Sequence, residues 1–216
     1  MKILSLIPAR SGSKSIPNKN ILPLLGKPMI NYAIQSCINA KLIDEVYVST
    51  DSEKYAKIAQ VCGAKTIKRP QNISKDNSTT EEAIYHFLNN IDCDILVLVQ
   101  ATSPLINSKF LDEALEKLIN DKYDSIVSVY KDHGFWWDNS KPMYNPRQRP
   151  MRQSQKSLYK EAGMFYIFNA QKFKKENCRI FGKTGIYEVP KLSSIIEIDE
   201  KEDIILTEIL MKQLNE

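Results

Sequence analysis

Five short apolar runs, the fullest of them without polar alternation, limit the architectures open to the chain. "ILSLI" at 3–7, "VYVS" at 46–49, "AKTI" at 64–67, "ILVLV" at 95–99 and "SIVSVY" at 125–130 have the length of strands. A strand with one wet face alternates apolar and polar residues, whereas an unbroken run such as "ILVLV" must be covered on both faces. Segments of helical period separate these runs at 29–40, 52–62, 80–89 and 109–120. The punctuation fits: Pro28 suits a first helical position, Asp51 can cap the second helix, Gly63 can end it, and Thr79 with Glu82 forms a capping box. Strands alternating with helices predict an α/β, doubly wound, mostly parallel sheet.

The rhythm breaks over 131–159, which holds three prolines and both tryptophans. That stretch is too aromatic for a flexible linker and reads as an inserted arm, a dimer contact, within a single domain spanning 1–216. Strands resume at "GMFYIF" (163–168) and "GIYEVP" (185–190). A strand, an acidic turn and an amphipathic helix then close the chain.

Charge is placed unevenly. Residues 1–43 and 139–160 each carry six Lys or Arg and no acid; without those twelve cations, 18 basic residues face 26 acidic ones. Two acid-free segments in such a chain point to an anionic ligand. A nucleic-acid surface is the competing explanation, but no helix-turn-helix, finger or RNP pattern supports it. No apolar stretch reaches the roughly 18 residues of a membrane span, and the short apolar start reads as a buried first strand. Cys37, Cys62, Cys93 and Cys178 are scattered without CxxC spacing, which fits a reducing cytoplasm and no zinc site.

The first basic segment includes "PARSGSKSIPNKN" (8–20), which leaves the first strand. In open α/β sheets ligands bind beyond the carboxyl ends of the strands, where this loop, "STD" (49–51) and "QATSP" (100–104) all emerge. Neither GxxxxGK[ST] nor GxGxxG is present. The loop instead offers backbone N–H groups, serine hydroxyls, Arg10, Lys14 and Lys19, a set suited to cradling a triphosphate. The residues alone leave other roles open. Asp199 with Glu202 reads as a helix cap, Arg69 as a surface residue, Arg147, Arg149 and Arg152 as a solvated face, and His86 as structural.

"IPARSGSKSIPNKNILPLLGKPMINYAI" resembles the opening of the CMP-sugar synthetases, specifically the acylneuraminate cytidylyltransferase group. "VYVSTDSEKYAKIA", "RPQNISKDNSTTEEAI", "VLVQATSPL", "GMFYIF" and "IEIDEKEDI" continue the match in order. The resemblance implies a Rossmann-like nucleotidyltransferase fold, typically dimeric. It also implies transfer of CMP from CTP to the anomeric hydroxyl of an acidic nine-carbon 2-keto sugar, with Mg²⁺. Carried over residue by residue, Arg10, Ser11, Gly12, Ser13, Lys14, Lys19 and Asn20 would hold the CTP phosphates, with Arg69 and Thr80 helping. Gln100 would meet the sugar, and Asp199 with Glu197 would hold the metal; Arg10, Lys14 and Asp199 are the catalytic candidates. Arg152 and Lys160 of the second acid-free segment are the cations expected to meet the acidic sugar. Two positions depart from the family pattern. Glu197 stands where the family has an aspartate, and Lys160-Glu161-Ala162-Gly163 stands in place of Arg-x-Asn-Gly. The altered second motif points to a changed sugar pocket, for a sialic, legionaminic or pseudaminic type of acid, with Kdo ranked lower. The alternatives are a sugar-1-phosphate nucleotidyltransferase, or a catalytically silent module that binds a nucleotide or nucleic acid.

Overall fold

A computed structural model of the chain describes residues 1–12, 16–149, 151, 158–194, 198 and 200–214. The order begins with β1 (Ile3–Pro8), a short hairpin of β2 (Pro23–Leu24) and β3 (Lys27–Pro28), and α1 (Met29–Ile38). It continues through β4 (Glu45–Thr50), α2 (Glu53–Val61), β5 (Lys65–Lys68), α3 (Thr80–Asn90), β6 (Ile95–Val99) and α4 (Ser108–Asn120). Then come β7 (Ser125–Asp132), a small hairpin of β8 (Trp137–Asp138) and β9 (Lys141–Pro142), and β10 (Leu158–Asn169). The last elements are α5 (Ala170–Glu176), β11 (Thr184–Glu188), α6 (Lys191–Ser194) and α7 (Lys201–Leu214).

Seven strands form one sheet in the order β11-β7-β10-β6-β1-β4-β5. β1 pairs parallel with β4 and β6, β4 with β5, and β7 with β11; β10 is antiparallel to both of its neighbours. The sheet is therefore doubly wound and mostly parallel. The unbroken runs are explained by burial on both faces. Ile3, Ile7, Ile95, Val97 and Val99 face one core, with Ile30 and Ile34 of α1 and Leu111 and Leu115 of α4. Leu4, Leu6, Leu96 and Leu98 face the other, with Ile84 and Phe87 of α3 and Phe173 of α5.

The helix starts show which side chains close the ends. Thr79 and Glu82 form the expected capping box on α3. The cap of α2 is Ser52, whose hydroxyl accepts from the Tyr55 N–H, and not Asp51. Asp51 is recruited elsewhere, as described below. The arm is shorter than 131–159, because β7 runs on to Asp132 and β10 begins at Leu158. Ile198 lies outside any strand, and the remainder of the predicted late strand falls outside the described residues. All four cysteines are free thiols. Burial pushes Cys37 and Cys93 up to about 12, so both stay protonated at neutral pH.

Candidate active site

β1 leads to β4 and β5 on one side, while β6 leads toward β7, β10 and β11 on the other. The crevice beyond the carboxyl ends of β1 and β6 is thus the topological switch point, the usual ligand position in such sheets. Two cavities open there. The first, of about 240 Å³, is lined by Arg10 and Gly12 after β1, by Lys19 and Asn20, by Arg69 after β5, by Ser78, Thr79 and Thr80 at the start of α3, and by Gln100 and Thr102 after β6. Three cations and no carboxylate occur among these lining residues. The second, of about 320 Å³, shares Lys19, Gln100 and Thr102 with the first. It extends to Ser103, to Ala162, Gly163, Met164 and Tyr166 of β10, to Ser193 and Ser194 of α6, and to Ile198 and Thr207.

The first loop is pinned from β4. The Ala9 N–H donates to the Ser49 carbonyl at 2.9 Å. Asp51 accepts from the Ser11 N–H at 2.9 Å and from the Ser11 hydroxyl at 2.8 Å. Asn20 donates its side-chain amide to the Arg10 carbonyl at 3.1 Å, so it braces the loop while lining the cavity. Arg10 pairs with Asp76 at 2.7 Å, both side chains being partly exposed. This carboxylate occupies a guanidinium face that an arriving phosphate would compete for.

Arg69 is 5% exposed and donates to the Ser49 carbonyl at 3.0 Å. Its Nε has no partner among the described residues. Burial lowers its pKa, Asp51 works against that, and Arg10 adds a smaller lowering push. An arginine starts so high that it remains a cation. A buried guanidinium beside a cavity is a strong anion-binding feature.

Tyr166, whose hydroxyl donates to Glu161 at 2.8 Å, lines the second cavity. Burial first, and Glu161 second, push its phenol up to about 12, so it serves as a donor and not as a base. The Tyr166 ring also carries the Arg179 guanidinium at 5.1 Å, and Arg179 forks onto Glu81 at 2.7 and 2.9 Å.

Of the residues singled out from sequence, Arg10, Gly12, Lys19, Asn20, Arg69, Thr80 and Gln100 line the cavities, while Ser11 anchors the loop. Lys160 is exposed on β10 opposite Tyr130 and lines neither cavity. Ser13, Lys14, Arg152, Glu197 and Asp199 lie outside the described residues. Among the described residues no three His, Cys, Asp or Glu side chains gather as a metal site. The sequence alone does not single out Ser78, Thr102, Ser103, Asp76 or Tyr166. Thr102 and Ser103 were within reach, because "QATSP" leaves β6 at the ligand edge.

The sequence profile of the cytidylyltransferases matches residues 4–215. The chain belongs to the cytidylyltransferase family. N-acylneuraminate cytidylyltransferase A of Danio rerio is 37% identical over 208 residues, 91% of this chain and 48% of that protein. Pseudaminic acid cytidylyltransferase of Campylobacter jejuni is 28% identical over 226 aligned positions, 98% of this chain and 97% of that one. The chain spans about half the length of the first curated relatives it matches. A solved structure of CMP:2-keto-3-deoxy-manno-octonic acid synthetase complexed with CTP superposes with a TM-score of 0.74 at 19% identity, covering 99% of both chains. The 4-diphosphocytidyl-2C-methyl-D-erythritol synthase of Anaerococcus prevotii superposes at 0.72 with 14% identity, over 98% of this chain and 96% of that one. Likeness at such low identity establishes the shared fold of this cytidylyltransferase.

Proposed function

We propose that this cytidylyltransferase moves CMP from CTP to the anomeric hydroxyl of an acidic 2-keto sugar of the nonulosonic type, releasing pyrophosphate. The observation that carries the reading is the wall of Lys19, Gln100 and Thr102 common to a cation-lined cavity and a hydroxyl-lined one. A triphosphate in the first and a sugar in the second would meet across that wall. Nucleotidyl transfer asks the protein mainly for in-line placement and for neutralisation of charge on the α-phosphate and the leaving group. Arg10, Lys19 and Arg69 would neutralise the phosphates, and the hydroxyls of Ser78, Thr79 and Thr80 at the α3 N-terminus would add donors. Gln100 would orient the acceptor. The relatives named for N-acylneuraminate and pseudaminate support the acid class.

Mg²⁺ takes oxygen donors and keeps several waters, so one or two carboxylates suffice. Asp199 with Glu197 would hold it, and it would add positive charge at the α-phosphate. Ile198, between them in sequence, is buried against Ile16 and Met29 and lines the second cavity, so the chain passes beside that cavity at this point. A homodimer in the cytoplasm completes the proposal.

The test supplies CTP and Mg²⁺ with N-acetylneuraminate, legionaminate, pseudaminate or Kdo, and then hexose 1-phosphates with all four nucleotides. Pyrophosphate should appear with CTP and a nonulosonic acid. Turnover with a hexose 1-phosphate and none with any 2-keto acid would move the chain to the sugar-1-phosphate class.

A further inference from the structure

β10 does not run straight through the sheet. Glu161 pairs with Val129 and Tyr166 with Val127, so residues 162–165 stand opposite the single residue Ser128. This excess is a bulge, and Ala162, Gly163 and Met164 within it form one wall of the second cavity. Gly163 has φ +64°, and a Cβ placed on it meets nothing within 4 Å. The wall is therefore backbone presented to open space.

A bulge takes backbone groups off the ladder, and buried N–H and C=O groups need partners. Toward β6, the Met164 carbonyl accepts from the Gln100 N–H at 2.9 Å. Toward β7, the Ser128 hydroxyl takes over both roles for Phe165. It accepts from the Phe165 N–H at 3.1 Å and donates to the Phe165 carbonyl at 2.9 Å. Both residues are fully buried. Serine is the smallest side chain able to accept and donate at once.

We propose that Ser128 is a positioning residue whose hydroxyl fixes the 162–165 bulge and thereby sets where the backbone of Ala162 and Gly163 meets the sugar. The inference rests on reading the second cavity as the sugar site. A side chain can change rotamer to follow a displaced ligand, but a backbone wall is placed by register alone. Displacements of about 1 Å in a binding site can cost up to a hundredfold.

β7 supplies its own control. Ser125, the first residue of that strand, clasps Phe181 in the same way, accepting from its N–H at 3.1 Å and donating to its carbonyl at 2.8 Å. It is equally buried and lines neither cavity. Ser128→Ala should raise KM for the acid that turns over by about tenfold, with KM for CTP held within about twofold, and Ser128→Thr should recover part of the loss. Ser128→Cys keeps the volume if the alanine variant does not fold, and should show the same split. Ser125→Ala should lower the melting temperature without moving either KM. Ser193→Leu, which narrows the cavity from α6, tests the sugar-site reading separately. If Ser193→Leu raises KM for the acid and the Ser128 variants do not, the positioning role is wrong and the cavity assignment stands. An equal rise from Ser125→Ala would reduce the effect to general loosening and overturn the proposal. Unchanged KM in both Ser193→Leu and the Ser128 variants, or no turnover with any acid, would overturn the sugar-site reading and this inference together.

Discussion

His86 sits on α3, close enough to Arg69 for its charge to be felt. Burial first and Arg69 second lower the His86 pKa from 6.5, and its Nδ1 is buried without a partner among the described residues. The neutral ring is the form this fold accepts. In the unfolded chain His86 takes up its proton near its ordinary value, while the folded protein resists until a lower pH. Stability is therefore complete above pH 6.5 and declines as pH falls from there toward the depressed folded value. His86→Gln, which keeps a polar side chain without that titration, should flatten the fall in melting temperature between pH 7.5 and 5.5. An identical slope in wild type and variant would place the pH dependence elsewhere. The same neighbourhood makes Arg69 a residue with two duties, tying the β4 end to the β5 exit and lining the first cavity.

At the scale of elements, Asp124 joins three parts of the sheet's far edge. Its carboxylate accepts from the Lys183 N–H at 2.8 Å and pairs with the Lys172 ammonium, and both interactions hold it below the usual carboxylate range. Its own N–H donates to the Lys183 carbonyl at 2.9 Å, which places β11 beside β7. Gly182 allows this closeness. It has φ +61°, and a Cβ there would overlap the Asp124 side chain. Gly182→Ala therefore combines left-handed backbone strain of about 1–2 kcal/mol with displacement of the carboxylate. The total loss should reach about 2 kcal/mol or more in urea unfolding. A loss under about 0.5 kcal/mol would mean that the β11 edge yields easily and Asp124 is no clasp.

At the scale of the whole molecule, the arm and α7 both carry exposed apolar side chains among the described residues. Trp137, Met143 and Met151 of the arm are each more than half exposed, as are Ile205, Leu206 and Ile209 of α7. Arg149 does not project from the arm as a lone cation, since it lies over the Phe135 ring at 4.1 Å and near Tyr144 at 5.8 Å. Apolar patches of this kind on a folded chain mark association surfaces. A homodimer that covers them should scatter light with about twice the 24.8 kDa chain mass at micromolar concentration. Ile209→Asp, which places a charge on the α7 patch, should shift the population toward monomer. Wild-type protein running at the monomer mass would end the dimer proposal.

How much was legible in the sequence differs from element to element. The β6 run Ile95–Val99 permits only a position covered on both faces, and it lies near the centre of the sheet. The Thr79–Glu82 box is equally local, because both partners lie within one helical turn, and it formed as expected. The basic loop after β1 was legible for the same reason, since its charges and the strand before it are contiguous. Three matters were decided at long range. Asp51 and Ser52 are adjacent residues that can each cap α2; Ser11, 40 residues away, draws Asp51 to the loop and leaves the cap to Ser52. The antiparallel insertion of β10 between β6 and β7 depends on pairing partners that no local pattern names. The bulge across from Ser128 breaks the two-residue parity of β10, so the side of the sheet each residue faces, and the exposure of Lys160, could not be counted along the strand. Local hydrogen bonds and burial period are written along the chain, whereas register and strand order arise only when distant segments compete for the same partners.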